Sequence, residues 1–541
     1  MSIGTPLHKA KLENKYDAIV IGSGIGSLST AACLAKAGRK VLVLEQHYTA
    51  GGFTHTYSRK GYEWDVGVHY IGDVHREGSV LRKVFDYISD SKLKWAQMED
   101  NFDRIYLGNE SYDYVSGVKS FRDKMVAYFP DEEAAIDKYI SLVRQVNRYS
   151  SLYYMQKVLP TWLGQILYKK LTGPYIKYAA KTTDEVLKSI TKNEKLIAVL
   201  TGQWGDYGLP PKKSSFAMHA LVTKHYFNGA SYPVGGSSEI ARTIEAVIAG
   251  AGGQIVVNAK VSDIMISGNK ARGIRLHNGT EVFAEKIVSG AGVINTYGKL
   301  LPDSVKQKYQ LEEKLKKTTP SIAHLALYIG LNGTTKELGL KTTNLWIYPD
   351  HNHDENLSKF LNFQSEDLPV VYISFPSAKD PEWEKKYPNK STIEIIAPVS
   401  YEWFKKWEGT KWQKRGEDYN SYKKEMTQVL LNYLFQKHPN LKDKVAFAEL
   451  STPLSTAHFS GHDKGQIYGI DHTPGRFQEK WLRASTPIKN LYLTGQDIVT
   501  CGVGGALCAG ILTSIAVLGP LAGLNLIKLM SPTRSKAQAK A

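Results

Sequence analysis

The 541-residue chain is poor in cysteine, with only Cys33, Cys501 and Cys508. Three cysteines are too few for a disulfide framework, and their spacing is not that of a metal cluster. We interpret all three as small packing residues and predict a protein of a reducing compartment, the cytoplasm.

Signatures of several enzyme classes are also missing. The sequence has no Walker loop and no serine or cysteine nucleophile motif, which leaves hydrolysis unsupported. His458 and His462 are four residues apart, but Ser460 and Gly461 argue against a helix and no third ligand accompanies them. We therefore expect no metal site.

Neither a secretory signal nor a clear membrane span is evident. Residues 1–15 are polar and lack an apolar core, so we expect no secretory signal. The charge-free run 503–527 is long enough to span a bilayer, but Pro520 and repeated glycines interrupt it. We predict a buried helix with an apolar tail that touches a membrane, rather than a span.

Acidic residues are outnumbered, 52 to 69 lysines and arginines, which gives a net charge of +17. The basic residues are scattered and no nucleic-acid motif accompanies them, so we expect no nucleic-acid partner. An anionic membrane surface suits this charge better, and we predict peripheral membrane association. The Lys/Ala-rich tail 531–541 is predicted to be disordered.

The segment 151–190 interleaves aromatic and apolar side chains with lysines. Such a mixture suits the headgroup boundary of a membrane. An amphipathic helix that packs on its own domain explains the pattern equally well. The residues concerned are Tyr153, Tyr154, Met155, Leu159, Trp162, Leu163, Ile166, Leu167, Tyr168 and Tyr175, with Lys157, Lys169, Lys170 and Lys177.

A nucleotide-binding βαβ unit is predicted at the start of the chain. An apolar strand, 16–21, leads into Gly22, Gly24 and Gly26 and then into a small-residue helix, 28–37. Gly22 permits a tight turn, and Gly24 lets the backbone approach a pyrophosphate at a helix N-terminus. An ordinary glycine-rich turn is the alternative.

A carboxylate for the ribose follows the next predicted strand, 41–44. Glu45 lies about 20 residues beyond the glycines, where it can accept hydrogen bonds from ribose hydroxyls. Ser27 occupies the place of the usual third glycine, and Gly26, one position earlier, is expected to compensate.

Two further glycine motifs favour FAD over a nicotinamide cofactor. Gly51 and Gly52 follow Glu45 and are similar to the second pyrophosphate contact of FAD oxidoreductases. Near the other end, Asp497 precedes a glycine-rich helix start that includes Gly504 and Gly505. The resemblance implies that Asp497 bonds the ribityl chain and that this helix start faces the flavin.

The cofactor domain is predicted to be discontinuous. Its segments are 1–75, 231–300 and 481–530, and Val261 in the second is assigned to the cofactor site. The substrate domain is assigned to 76–230, which faces the membrane, and to 301–480. Helices at 132–147 and 419–437 and a β-like run at 323–331 indicate a mixed sheet-and-helix domain.

Several internal motifs resemble the retinol saturase family, which belongs with phytoene desaturases and carotenoid isomerases. The motifs are Gly61–Gly72, Met218–Tyr226, Tyr232–Ile240, Ile467–Gly469 and Asn490–Gly505. The resemblance implies an α/β fold: a Rossmann-type FAD domain and a substrate domain like those of amine oxidases and phytoene desaturases. The endoplasmic-reticulum signal of the animal enzymes is missing, which suggests a bacterial-type relative.

The activity implied is saturation of one C=C bond of a retinol-like isoprenoid by hydride from reduced flavin. NAD(P)H or an external donor would supply the electrons. By analogy the turn 67–70 lies against the flavin, so His69 or Tyr70 could deliver the proton. Both could instead only form the pocket wall. His219, His225 and Tyr226 are weaker candidates, and the oligomeric state is not predicted.

Other activities share this fold. Within the same family, desaturation runs the transfer in reverse and isomerisation involves no net electron flow. Amine oxidation is a further enzyme alternative. A flavin-free prenyl carrier of the GDP-dissociation-inhibitor type is a non-enzymatic one, although its cofactor motifs are eroded and those of this chain are intact.

Overall fold

The computed structural model describes residues 2–159 and 161–530. The predicted basic tail 531–541 lies outside the described residues.

Within these residues the strands form four sheets. The strands are β1 (Thr5–Pro6), β2 (Lys15–Ile21), β3 (Val41–Leu44), β4 (Thr56–Arg59), β5 (Tyr62–Asp65), β6 (Ile71–Gly72), β7 (Trp95–Gln97), β8 (Asn101–Leu107), β9 (Glu110–Val115), β10 (Ala230–Pro233), β11 (Gln254–Val257), β12 (Val261–Ser267), β13 (Lys270–Leu276), β14 (Glu281–Ser289), β15 (Ala323–Asn332), β16 (Asn344–Tyr348), β17 (Val371–Ser374), β18 (Lys390–Val399), β19 (Val445–Ser451) and β20 (Leu491–Leu493).

The helices lie between and around these strands. They are α1 (Ile25–Lys36), α2 (Val80–Ile88), α3 (Val118–Tyr128), α4 (Glu133–Met155), α5 (Thr161–Ala179), α6 (Thr183–Lys188), α7 (Glu194–Leu200), α8 (Phe216–Tyr226), α9 (Ser238–Gly250), α10 (Val293–Gly298), α11 (Asp303–Lys308), α12 (Leu311–Leu315), α13 (His353–Leu361), α14 (Pro376–Lys379), α15 (Trp383–Lys386), α16 (Glu417–Lys437), α17 (Pro453–Ser460), α18 (Gly502–Leu518) and α19 (Pro520–Leu529).

The first sheet has eight strands in the order β1-β11-β3-β2-β14-β13-β12, with β20 paired to β14. Strands β11, β3, β2, β14 and β20 run parallel, and β2 and β3 are buried along almost their whole length. Parallel strands buried on both faces need continuous apolar residues, as the sequence has here. The predicted Rossmann-type sheet is confirmed.

The second sheet has seven strands in the order β19-β15-β18-β17-β16-β8-β9. It is antiparallel except where β16 runs parallel to β8. Its strands come from two stretches of chain, 101–115 and 323–451, so both predicted substrate segments contribute. The predicted domain boundaries themselves remain a proposal.

Helices α1 and α18 pack closely against each other because glycine lies at their contact. A Cβ on Gly510 of α18 would come within 2.6 Å of the Gly26 carbonyl oxygen and 2.5 Å of the Ser29 Cβ. The Ser29 hydroxyl donates to the Leu507 carbonyl. This contact joins the first and the last segments of the chain.

The apolar run 503–527 is divided between α18 and α19. Gly519, with φ +81°, separates the two helices, and the middle of α18 is buried. Among the residues that the structure describes, none of the helices has both the length and the apolar character needed to cross a membrane.

The aromatic segment after residue 150 contributes to the core. Tyr153, Tyr154 and Tyr175 are buried and in mutual ring contact, and Lys157 is buried beside them. Packing on its own domain therefore explains this inner face. One prediction nearer the C-terminus was wrong: His458 does lie in a helix, α17, which ends at Gly461 in the left-handed conformation.

Candidate active site

A cavity of about 1760 Å³ extends from the first sheet toward the second. Typical single-ligand pockets are about 300–1,000 Å³, so the cavity has room for a dinucleotide and a second ligand. Apart from Asp497 and the weaker candidate His219, the predicted site residues line it. They are Gly22, Gly24, Gly26, Glu45, Gly51, Gly52, His69, Tyr70, Val261, Gly504 and Gly505, with the weaker candidates His225 and Tyr226.

The glycine loop leaves open space where a pyrophosphate would lie. Gly22 has φ +85°, which favours glycine, and Gly24 is the N-cap of α1 without a side-chain cap. A Cβ on Gly24 would meet no atom within 4 Å, so the free N–H groups of α1 face the cavity. Gly52 lies so close that its own Cβ would come within 2.9 Å of Gly24 Cα.

Gly26 provides the close packing that the usual third glycine provides, as expected from the sequence. A Cβ there would come within 2.7 Å of Gly495 Cα and 2.9 Å of the Ala506 carbonyl oxygen. Ser27 is accommodated because Gly290 has no side chain where the Ser27 hydroxyl lies. The serine at the third motif position is therefore compensated by Gly290, which directly follows β14.

Glu45 is held in place by backbone donors. Its Oε2 accepts hydrogen bonds from the Ser23 N–H (2.8 Å) and hydroxyl (2.6 Å), and its Oε1 accepts from the His47 N–H (2.8 Å). The Ser23 hydroxyl in turn accepts from the Gly51 N–H at 3.0 Å. The carboxylate is thus preorganised at the cavity wall, where it has lone pairs for ribose hydroxyls.

The C-terminal glycines place a second helix N-terminus at the cavity. Helix α18 begins after Cys501 without a side-chain cap, and a Cβ on Gly502 would meet nothing within 4 Å. Its free N–H groups and its dipole favour negative charge. Glycine is required at position 505 for packing, because a Cβ there would collide with Thr500.

Asp497 is the predicted site residue that lies away from the cavity. Its Oδ2 accepts from the Val293 N–H at 2.8 Å and its Oδ1 from the Ile470 N–H at 3.1 Å. The side chain is buried, and Gly469 must be glycine because a Cβ would overlap the carboxylate. Here Asp497 joins three backbone segments, and its ribityl contact remains a prediction.

His69 lies at the other end of the cavity. Its Nδ1 is 2.8 Å from Glu394 Oε2, but the two atoms do not meet hydrogen-bond geometry, and neither has another partner among the described residues. Burial lowers the pKa of His69 to about 3. The imidazole is therefore neutral at pH 7 and is a poor acid.

Tyr70 lies between two carboxyl groups, one buried and one at the cavity wall. Its hydroxyl is 3.0 Å from Asp103 Oδ2 and 3.2 Å from Asp206 Oδ2. Asp206 lines the cavity beside Tyr70, whereas Asp103 is buried behind it. Burial raises the pKa of Asp103 to about 6 and that of Asp206 well above its usual range.

A buried lysine lies behind His69 and Tyr70. Lys379 Nζ donates to the His69 carbonyl (2.9 Å), Asn344 Oδ1 (2.5 Å) and Ser374 Oγ (2.7 Å). Burial lowers the pKa of Lys379 to about 7 and raises that of Glu394 to about 8. The cavity end is therefore backed by a network of ionisable groups.

The weaker histidine candidates differ from each other. His219 is buried against Tyr139 and Tyr207 and does not line the cavity. His225 does line it, and its Nε2 accepts from the Gly72 N–H at 2.8 Å. Tyr226 stacks on Tyr70 with ring centroids 4.5 Å apart.

Sequence reasoning missed Asp206, Asp103 and Lys379. Asp206 carried a detectable signal, because it is a lone carboxylate in an uncharged stretch, 201–211, that is mostly buried. Within residues 2–159 and 161–530 no group of three or more metal-ligating side chains is placed to hold a metal ion.

Comparisons with known proteins agree with this architecture. Residues 20–88 match the NAD(P)-binding Rossmann-like domain. Putrescine oxidase bound to putrescine superposes with TM-score 0.59 at 14% identity over 93% of this chain and 99% of that chain. An oxidoreductase from Methanosarcina mazei gives TM-score 0.59 at 18% identity over 92% and 99%. Fold and site define the class: a protein built on a Rossmann-type dinucleotide-binding domain.

Sequence relatives give the family. The all-trans-retinol 13,14-reductase of Danio rerio is 38% identical over 529 residues, 94% of this chain and 87% of that protein. Another Danio rerio relative, named an inactive all-trans-retinol 13,14-reductase, is 34% identical over 98% of this chain and 90% of its own length. Prolycopene isomerase 1 of an Oncidium hybrid cultivar is 26% identical over 94% and 85%. The chain belongs to the all-trans-retinol 13,14-reductase family.

Proposed function

We propose that the protein binds FAD and reduces one C=C bond of a conjugated isoprenoid such as all-trans-retinol. The observation that carries the proposal is one continuous cavity, which joins the loop of Gly22 and Gly24 and the start of α18 (the glycine cradle) to an end rich in aromatic residues. A dinucleotide fits the cradle, because the missing side chains of Gly24 and Gly502 leave space beside two free helix N-termini. When bound, reduced FAD supplies a hydride.

The protein residues orient the polyene and exclude water. Tyr70, Tyr226, Trp346 and Tyr372 line the far part of the cavity, and Tyr70 stacks with Tyr226. Flat aromatic rings suit a flat conjugated chain, and a dry site protects the transferred hydride. Of the two predicted proton donors, His69 is disfavoured, because its imidazole is neutral at pH 7 and has no acidic proton to give, whereas the Tyr70 hydroxyl contacts a carboxyl group, Asp206, that lines the cavity.

The first experiment tests this reaction directly. The purified protein is reduced anaerobically and mixed with all-trans-retinol while the flavin and retinoid absorbance are followed. We expect flavin reoxidation together with loss of one double bond. Reoxidation by longer carotenoids but not by retinol assigns the carotenoid branch, and a protein that takes up no flavin after reconstitution contradicts the proposal and favours the carrier. NAD(P)H and an external donor are compared as reductants in the same assay.

Replacing Glu45 by alanine is expected to weaken FAD binding about 10- to 100-fold. The change removes the acceptor for the ribose hydroxyls and unpairs the Ser23 N–H. Fluorescence titration of the apoprotein with FAD measures the effect. Glu13→Ala is the control, because that exposed carboxylate pairs with Lys40 away from the cavity. Equal affinity of the Glu45 variant and wild type would remove Glu45 from the cofactor site.

We further propose that the side of the cavity formed by α4 and α19 faces an anionic membrane. The C-terminal part of α4 and the end of α19 line the cavity through Arg148, Met155 and Ile527. Exposed apolar side chains lie on the same elements and on α5, namely Leu152, Ile166 and Leu524. Lys170 and Lys177 share the exposed face of α5 with Ile166, and lysines attract anionic headgroups. The predicted cytoplasmic location remains a prediction.

Ile166→Asp is expected to lower affinity for anionic vesicles by about tenfold or more, because Ile166 is 72% exposed and would insert its side chain. Co-sedimentation with phosphatidylglycerol vesicles measures it, with phosphatidylcholine vesicles for comparison. Phe363→Asp is the matched control, since Phe363 is 75% exposed but follows α13 and so lies outside the proposed membrane face of α4, α5 and α19. Equal loss in both variants would contradict a specific membrane face.

A further inference from the structure

The contact of Tyr70 with two carboxyl groups requires an extra proton. The Tyr70 hydroxyl oxygen lies 3.0 Å from Asp103 Oδ2 and 3.2 Å from Asp206 Oδ2. The phenol has one proton and can satisfy only one neighbour. Both short contacts are hydrogen bonds only if one carboxyl group is itself protonated.

The surroundings decide which carboxyl group holds that proton. Asp103 accepts further bonds from Gln203 Nε2 (2.7 Å) and Asn344 Nδ2 (2.9 Å), and the Lys379 cation lies just beyond Asn344. These donors stabilise Asp103 as an anion. Tyr70 therefore donates to Asp103.

Asp206 has the opposite environment. Its side chain contacts Tyr70, and no cation lies against it among the residues that the structure describes. The titratable groups that face Asp206 are otherwise neutral acids: Tyr207, Tyr226, Tyr348, Tyr372, Tyr468 and Cys501, with Tyr70 and the Asp103 carboxylate. Without a cation or a second protein donor, a carboxyl group in a site from which substrate excludes water favours its neutral form. Asp206 therefore donates to Tyr70.

The position of Asp206 also matters. The Cys501 thiol, at the start of α18, donates to the Asp206 carbonyl at 3.6 Å, and the Tyr468 hydroxyl donates to the Gly205 carbonyl at 2.8 Å. Asp206 is thereby fixed beside the glycine-rich helix start and lines the cavity. The Asp206 proton therefore lies where the glycine cradle meets the aromatic end of the cavity.

We propose that Asp206 donates the proton that completes reduction of the C=C bond, and that Tyr70 and Asp103 position it. This inference rests on the proposed function. One alkene carbon receives hydride, with its electron pair, from reduced FAD, and the neighbouring carbon takes the Asp206 proton. The π bond breaks, two C–H bonds form, and FAD is left oxidised.

Asp206 is left as a carboxylate by this step. The Tyr70 hydroxyl then turns from Asp103 to Asp206 and stabilises the new charge. Water that enters when the product leaves restores the proton. Tyr70 and Asp103 are positioning residues in this scheme, and Asp206 is the acid.

The test uses FAD-loaded Asp206→Asn, reduced and mixed with all-trans-retinol in a single turnover. We expect the rate of alkene reduction to fall about 10²- to 10⁴-fold with FAD content unchanged. Wild-type activity should fall as pH rises through the raised pKa of Asp206, because only the protonated form donates, and this alkaline fall should vanish in the variant. Tyr70→Phe should move the fall to higher pH, since the Asp206 carboxylate loses its donor.

A second readout does not depend on turnover. Infrared difference spectra of wild type and Asp206→Asn at pH 7 should contain the C=O band of one protonated carboxyl group. Asp471→Asn is the matched control, because burial raises the pKa of Asp471 to about 7, yet Asp471 does not line the cavity. It should keep wild-type turnover.

The outcomes separate the two proposals. Wild-type turnover by Asp206→Asn overturns the role of Asp206 as donor, and absence of the infrared band overturns the proton assignment. A wild-type protein that shows the band but reduces no polyene contradicts the proposed function, and with it the role as donor. Loss of turnover in Asp206→Asn alone, together with the band, supports the inference.

Discussion

Gly26→Ala is expected to destabilise the fold and to abolish FAD retention together. The new methyl group would come within 2.7 Å of Gly495 Cα and 2.9 Å of the Ala506 carbonyl oxygen, and backbone atoms cannot move aside like a flexible side chain. Overpacking of this kind costs about 1–3 kcal/mol and sometimes more. Thermal unfolding and the ratio of bound FAD to protein measure both effects.

Gly24→Ala is the matched control for this result. Gly24 has φ −61°, which alanine adopts easily, and its Cβ would meet no protein atom within 4 Å. We therefore expect an unchanged melting temperature but weaker FAD binding, since the methyl group would project toward the pyrophosphate. If the two variants behave alike, the separate packing and binding roles of these glycines are wrong.

Lys379→Met is expected to lower the free energy of unfolding by about 3–5 kcal/mol, as removal of one partner from a buried ionic network does. The lysine is 4% exposed and uses all three of its N–H donors. It also provides the positive charge that faces Glu394, Asp103 and Asp65. Thermal and denaturant unfolding against wild type measure the loss.

The loss of unfolding free energy in Lys379→Met should be larger at pH 7 than at pH 5. Burial raises the pKa of Asp103 to about 6, of Asp65 to about 7 and of Glu394 to about 8. The folded state therefore binds more protons than the unfolded state between about pH 4 and these values, and the stability from these groups declines as pH rises through them. At pH 5 they are neutral and need no cation, so the deficit of Lys379→Met should be smaller at pH 5 than at pH 7.

Lys157→Met is the control for this pH dependence. Lys157 is also buried, with its pKa lowered to about 7, but its charged neighbours are Arg476 and Arg483. Removing Lys157 relieves repulsion between cations, so the loss of unfolding free energy in Lys157→Met should not increase from pH 5 to pH 7. A parallel increase in both variants would mean that burial alone, and not the carboxyl groups, explains the effect of Lys379.

The cofactor half of the fold could be predicted because its signals are local. The glycines at 22–26, the strand 41–44 and Glu45 lie within 25 residues, and tight turns and ribose contacts require particular residue types at those positions. The strand 41–44 was predicted with its exact bounds. The start of α1 was predicted three residues late, because Gly24 at its N-cap and Gly26 in its first turn are poor helix formers by propensity.

The far end of the cavity could not be predicted in the same way. Asp103, Asp206 and Lys379 are separated by more than 100 residues each and lie on β8, between α7 and α8, and on α14, so only the tertiary fold brings them together. For Asp497 the local motif could be recognised from the sequence, but the orientation of the side chain could not. Its carboxylate packs against Gly292 and Gly469, which lie in other segments of the chain.

The pairing of β20 with β14 has a consequence for how the protein matures in the cell. The cradle is closed by α18, whose contacts with α1 join residues 478 positions apart, as between Ser29 and Leu507. A ribosome therefore releases nearly the whole polypeptide before the nucleotide pocket exists. We therefore expect the proposed flavin to bind only after synthesis, and chains that end before residue 491 to fold without stabilisation by it.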